Sequence, residues 1–329
     1  FMNVRDDFLL YNNKEINKNV LLSAKSKRRM RKSKSDNTLK SYGADWNDFT
    51  DWCEANKLCP LPCKPEDIVN YINDLADNAK ANTVSRRLTA ISENHIAGGY
   101  QENNPAKHVM VHNAMQAIRR ENGTFQHGKA PILMETLPLL ADMLSGSDLV
   151  TLRDKALLLL GFAGAFRRSE LVAVQIEDLT FTTQGMVVFI PQSKGDQLGA
   201  GSEIAIPYAP QKEICAVRAV RNWMEAAGIT SGPLFRGFKR TLQPRDTQLN
   251  DKAVAEIVKK YMARLGLDPS DFAGHSLRRG FATSAAQHDL NTLEIMRQTR
   301  HKSEKMVHRY IEQGNLFKEN ALDKMFNKK

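Results

Sequence analysis

Residues 274–311 read GHSLRRGFATSAAQHDLNTLEIMRQTRHKSEKMVHRYI. Helical patterning runs over 275–288, 291–299 and 303–311, with breaks between the runs. Among the apolar positions stand His275, Arg278, His301 and Tyr310. Two imidazoles, a guanidinium and a phenol are the parts needed to break a phosphodiester without a metal ion. Taken singly, each also reads as helical decoration; Tyr310 lies one turn after Met306 and fits a core position.

Composition supports a polyanionic partner. The chain has 329 residues, enough for about two domains, with 42% apolar residues and a net charge of +10. It contains no apolar run long enough to span a membrane and no visible secretory signal. Phe1 before Met2 reads as a cloning or protease scar. Cys53, Cys59, Cys63 and Cys215 form no CxxC pair, so reduced thiols are expected rather than a metal site. No metal or other cofactor is expected.

The chain divides by pattern. Residues 1–34 read as a basic segment expected to be flexible, in which KSKRRMRKSK (25–34) holds seven Lys or Arg and no acid. That run suits a phosphate backbone, a solvated tail or, in a nucleated cell, an import signal. Residues 35–122 read as a helical bundle. Leu39, Tyr42, Trp46, Phe49 and Cys53 share one face, with Asp36 or Asn37 as cap. Pro65 opens a second helix carrying Ile68, Tyr71, Ile72 and Leu75. Asn82 caps a third, with Val84, Leu88 and Ile91 inward and Arg86 and Arg87 outward; a fourth carries Val111, Met115 and Ile118 and ends in Arg119 and Arg120. Residues 123–131, polar with glycine and proline, read as a linker.

Residues 132–329 read as a mixed α/β domain. Helices are expected near 134–145 and 151–163, then one from Ser169 with Glu170 in its first turn. Short β-prone runs follow at Thr180–Phe181, Met186–Ile190 and Glu203–Ile206, the last two joined by a glycine-rich hairpin tip carrying Lys194. Helices are expected again at 211–226 and 251–265, separated by a basic loop with Arg236, Lys239, Arg240 and Arg245. A last helix, 315–327, has an apolar face from Phe317 to Phe326.

Several chemistries are excluded by what the chain lacks. There is no HExxH, no DxD-type cluster, no Gly-x-Ser-x-Gly elbow and no P-loop lysine. Arg, Lys, His and Tyr do cluster, and that set suits phosphoryl transfer, where guanidinium forks hold nonbridging oxygens. In order along the chain stand Arg167-Arg168-Ser169-Glu170-Leu171, Lys194, His275-Ser276-Leu277-Arg278, and His301 nine residues before Tyr310. On these motifs the chain resembles the tyrosine recombinases of the phage integrase family, with a Cre-like layout, over about residues 35–329.

The resemblance implies a mainly α fold with a small β-sheet: a helical core-binding bundle plus a catalytic domain, closing on DNA as a C-shaped clamp. It implies a site-specific recombinase that cleaves through a 3′-phosphotyrosyl intermediate and exchanges strands through a Holliday junction, without metal or ATP. Tyr310 would be the nucleophile and His275 the general base. Arg167 and Arg278 would grip the nonbridging oxygens, with Arg168 a competitor for the role of Arg167. His301 would donate a hydrogen bond, Lys194 would protonate the leaving 5′-oxygen, and Glu170 would orient the site. Lys40, Arg86, Arg87, Arg119, Arg120, Arg236, Lys239, Arg240 and Lys252 would contact double-stranded DNA bearing inverted repeats. Four protomers would assemble on two sites through exchange of the 315–327 helix. The expected location is with the DNA, cytoplasmic in a bacterium or nuclear in a eukaryote. The family usually has Gly where this chain has Arg300, and Cre-like members carry Trp where it has His301. The rival readings are a type IB topoisomerase and a catalytically idle DNA-binding accessory protein.

Overall fold

The computed structural model describes residues 33–125, 128–191 and 201–314, with Ser23, Lys25, Arg29 and Met325 as single positions. The chain forms two compact units, Phe1–His127 and Gly128–Lys329. The basic run 25–34 for the most part, Lys194, and the 315–327 helix except Met325 lie outside the described residues.

Among the described residues the first unit includes helices α1 (Asp36–Ala55), α2 (Pro65–Ala76), α3 (Ala81–Ala97) and α4 (Val109–Glu121). Their apolar faces meet at Trp46, Phe49, Cys53, Ile68, Tyr71, Ile72, Val84, Ile91, Val111, Met115 and Ile118. Two caps differ from expectation. Ser35 caps α1, its hydroxyl accepting from the Thr38 amide at 3.2 Å, because it sits one residue ahead of the first helical turn, where Asp36 already lies. Helix α3 starts at Ala81 after Lys80, so Asn82 is inside the first turn and too late to cap it. Arg87 also differs from expectation. It is not simply outward: its guanidinium pairs with Asp48, meets the Tyr71 hydroxyl at 3.0 Å and lies 3.8 Å from the buried Asp45. A buried carboxylate needs a cation, and Arg86 and Arg87 supply it.

The second unit is built round α6 (Leu149–Ala163), which is buried over nearly all of its last two turns and follows the short α5 (Thr136–Met143). Helix α7 (Arg168–Ala173) leads into an antiparallel sheet of β1 (Leu179–Phe181), β2 (Gly185–Ile190) and β3 (Ser202–Pro207), in that order. Met186 pairs with Ile206 and Val188 with Ile204. Alternation at period two puts these four side chains inward on the core. Helix α8 (Ala216–Ala227) ends on Gly228 at φ 63, the left-handed turn that glycine adopts without penalty.

The basic loop after α8 is not a loop. It is a two-stranded antiparallel hairpin, β4 (Arg236–Phe238) and β5 (Pro244–Gln248). Helices α9 (Asp251–Arg264), α10 (Ser276–Gln287), α11 (Thr292–Thr299) and α12 (Glu304–Gly314) complete the described chain. A Cβ at Gly280 would overlap the Ile132 carbonyl oxygen, so α10 approaches residues 130–132 only because that position has no side chain. The last helices share a satellite core of Ala282, Ala285, Ala286, Ile295 and Val307, with Tyr310 packed on its edge. All four cysteines are free. Among the described residues no helix is long and apolar enough to cross a membrane.

Candidate active site

The candidate residues are held at helix ends. Arg167 is the residue before α7, with extended backbone. Its amide donates to Glu170 Oε2 at 3.0 Å and its Nη1 to Glu170 Oε1 at 2.5 Å. Helix α7 thus begins at Arg168, one residue earlier than expected, because Glu170 folds back on the Arg167 amide from the third position. Arg168 turns elsewhere, to Asp251 at 3.1 Å, and is largely exposed. The geometry separates the two arginines: Arg167 alone faces the buried carboxylate of Glu170.

Arg278 reaches the same place from the first turn of α10. It is 2% exposed. Its Nη1 donates to the Ala165 carbonyl at 2.7 Å, and its Nη2 is buried without a partner. Burial, then repulsion from Arg167 and Arg300, push its pKa down to about 9, so it remains a cation at neutral pH. A buried guanidinium nitrogen with nothing to bond is costly unless an acceptor arrives.

His275, the residue before α10, is exposed. His301 is half-buried and its ring stacks on that of Tyr310, 5.8 Å between centroids at 28°. Its Nδ1 lies 2.8 Å from the Thr299 hydroxyl. Burial and then Arg278, Arg167, Arg300 and His275 push its pKa down to about 4.

Arg300 is the residue whose importance the sequence reading missed. It holds the left-handed position after α11, φ 57 and ψ 38, which explains why glycine suits this turn. Here the strain is offset by contacts. Its guanidinium donates to Glu170 Oε2 at 3.0 Å, to the Gly164 and Gln298 carbonyls at 2.9 Å and to Ala165 at 3.2 Å, and lies over Phe166. Glu170 therefore sits between two arginines. Burial raises its pKa, but the Arg167 amide, Arg300 and the Arg167 side chain outweigh that and hold it below the ordinary range. The available signal was the non-glycine residue before the second histidine; its partner, 130 residues upstream, was not readable.

The proposed DNA-contacting residues fall on both units. Lys40, Arg86, Arg119 and Arg120 are exposed on the first, Arg119 touching Ser85 at 3.3 Å. On the second, Lys239, Arg240 and Lys252 are exposed, whereas Arg236 is turned back onto the Pro233 carbonyl at 2.9 Å, the Ser231 carbonyl and Asp246.

Known proteins share both the sequence and the fold. The phage integrase family matches residues 135–315. An integrase/recombinase xerD homolog of Selenomonas ruminantium is 66% identical over 328 residues, covering 99% of this chain and 96% of that one. Recombinase cre of Escherichia phage P1 is 24% identical over 82% of this chain and 81% of its own. The crystal structure of XerH site-specific recombinase bound to palindromic difH substrate, a post-cleavage complex, has the same fold at a TM-score of 0.65, covering 92% of this chain and 82% of that one at 14% identity. Neither rival reading is favoured by these likenesses. The chain belongs to the phage integrase family and is a site-specific tyrosine recombinase, a DNA strand transferase.

Proposed function

We propose that Tyr310 attacks the scissile phosphate of a duplex target. Its oxygen bonds to phosphorus as the bond to the 5′-oxygen breaks, leaving a 3′-phosphotyrosyl link and a free 5′-hydroxyl. His275, exposed beside the site, takes the phenol proton. Arg167 and Arg278 hold the nonbridging oxygens, with Glu170 and Arg300 fixing Arg167 and the Ala165 turn behind them. Lys194 supplies the proton to the leaving 5′-oxygen. The energy of the broken bond stays in the link, so rejoining needs no ATP.

The observation that carries this reading is the buried, partnerless Nη2 of Arg278, on a guanidinium within electrostatic reach of Arg167, Arg300 and Tyr310. A tetrahedral anion is the ligand that completes such a cluster. Exposed Lys40, Arg86, Arg119 and Arg120 on one unit and Lys239, Arg240 and Lys252 on the other support contact of both units with one duplex. Arg87, its guanidinium held by Asp48 and Tyr71 near Asp45, is the least available of these contacts. Four protomers on two inverted-repeat sites, linked through residues 315–327, would exchange strands through a Holliday junction. The place of action is the cytoplasm of a bacterial cell, on its DNA.

Incubation with a suicide duplex that traps the covalent intermediate tests the chemistry. The wild-type chain is expected to form a protease-sensitive adduct and Tyr310→Phe none. An adduct in the Phe variant would remove Tyr310 from the role, and failure of the wild type on every cognate site would remove the chemistry.

A further inference from the structure

Thr299 ends α11 and is fully buried. Its Oγ1 lies 2.6 Å from the Ile295 carbonyl oxygen and 2.8 Å from His301 Nδ1. A hydroxyl has one proton to give. A carbonyl oxygen cannot donate, so that proton lies toward Ile295; otherwise two oxygen lone pairs would face each other at 2.6 Å. Thr299 therefore accepts from His301, and Nδ1 carries the hydrogen. In the neutral ring Nε2 is then bare. A bare nitrogen cannot donate the hydrogen bond expected of His301, whose recipient we take to be a nonbridging oxygen of the scissile phosphate.

We propose that Thr299 is a positioning residue that locks His301 in the Nδ1–H tautomer, so that the ring takes one proton from solvent onto Nε2 when the scissile phosphate enters. The inference rests on the reading of His301 as a phosphate contact. The surroundings favour this order of events. Arg278 and His275 face the ring from α10, and Arg167 faces it from the start of α7, with Glu170 behind. Arg300 precedes His301 in its own turn, and Tyr310 stacks on the ring from α12. Burial and these cations keep the ring neutral in the free protein down to about pH 4. An arriving phosphate adds negative charge among the arginines and raises the affinity of Nε2 for a proton. Between the free and bound pKa values, engagement takes up one proton. It therefore weakens as pH rises, at most about tenfold per pH unit.

The test compares suicide-substrate cleavage across about pH 6 to about pH 9 for the wild type, Thr299→Val, Thr299→Ser and His301→Trp. The wild type and the Ser variant, which keeps the hydroxyl, are expected to lose rate on the alkaline side. Val keeps the shape without the acceptor and frees the ring to carry hydrogen on Nε2, so its alkaline limb flattens. Trp carries a permanent N–H donor and flattens it too. Any loss arising at Lys194 or Tyr310 is common to all four, so the difference between wild type and Val is the readout. Nitrogen-15 histidine spectra of the free wild-type protein, which need no variant to fold, are expected to place the hydrogen on Nδ1. Hydrogen on Nε2, or an alkaline limb unchanged in Val, overturns the proposal. His301→Ala separates the two readings: cleavage undiminished there removes His301 from the phosphate, whereas a loss of tenfold or more keeps that contact whatever Thr299 does.

Discussion

Arg300 sets two effects of opposite sign against each other. A non-glycine residue in the left-handed region costs about 1 kcal/mol or more. Removing one partner of a buried ion pair costs about 3–5 kcal/mol, because the other charge is left behind. Glu170 keeps Arg167 when Arg300 is lost, so the lower end applies. Arg300→Gly relieves the strain and loses the pair; a net destabilisation of about 1–3 kcal/mol is expected. Arg300→Leu keeps the strain as well and is expected to cost about 1 kcal/mol more than Gly. Urea unfolding of the two variants checks both the sign and the order, and a Gly variant more stable than wild type would mean the strain outweighs the pair. At this scale the sequence was legible where spacing alone places a side chain, as with His275 and Arg278 on one helix start. It was not legible where a role depends on a partner far along the chain, as with Arg300 and Glu170. Thr299 was invisible for another reason: nothing in its neighbours marks that its hydroxyl gives its proton to Ile295 and accepts from His301.

The elements tell a similar story with different causes. Helical periodicity placed α1 to α4 and α8 to α12 within a few residues, since each has a continuous apolar face. The hairpin β4–β5 escaped because its short strands carry glycine, proline, arginine, aspartate and glutamine, and its strand character comes from pairing rather than from side chains. It is held from below. The Arg153 guanidinium lies 4.8 Å from the Phe238 ring centre and donates to the Arg236 carbonyl at 3.2 Å, while Phe238 meets Trp223 edge-on at 6.2 Å. Arg153 is fixed in turn by Asp154, at 2.9 and 2.6 Å. So anchored, the hairpin presents Lys239 and Arg240 outward. As phosphate contacts they would each add about one unit to the salt dependence of DNA binding. Lys239→Ala and Arg240→Ala are each expected to weaken cognate and random duplexes alike and to lower the slope of log K against log salt by about 1. A loss confined to the cognate duplex would instead mark a base contact.

For the whole molecule, charge and division into units are the leading facts. The net charge of +10 is spread over a chain whose two units each have their own apolar core. The two compact units meet within a polar, glycine-containing stretch that separates two blocks of apolar periodicity in the sequence. How protomers would join is an expectation from resemblance alone, through the apolar pattern from Phe317 to Phe326 in the sequence. If residues 314–329 link protomers, their deletion leaves binding to a single site intact and impairs pairing of two sites. Mobility-shift bands for one-site and two-site complexes separate these, and full recombination by the truncated chain would end the proposal.

The orphaned nitrogen of Arg278 also has a consequence at the bench. Glu170 pairs with Arg167 and Arg300 and lies within electrostatic reach of Arg278, so among these described residues three cations face one carboxylate. Sulfate, inorganic phosphate or vanadate in a purification buffer has the charge and the tetrahedral shape to fill that gap. The same salts that make this protein easier to keep would then act as competitive inhibitors of its reaction, and the choice of storage anion becomes part of every assay.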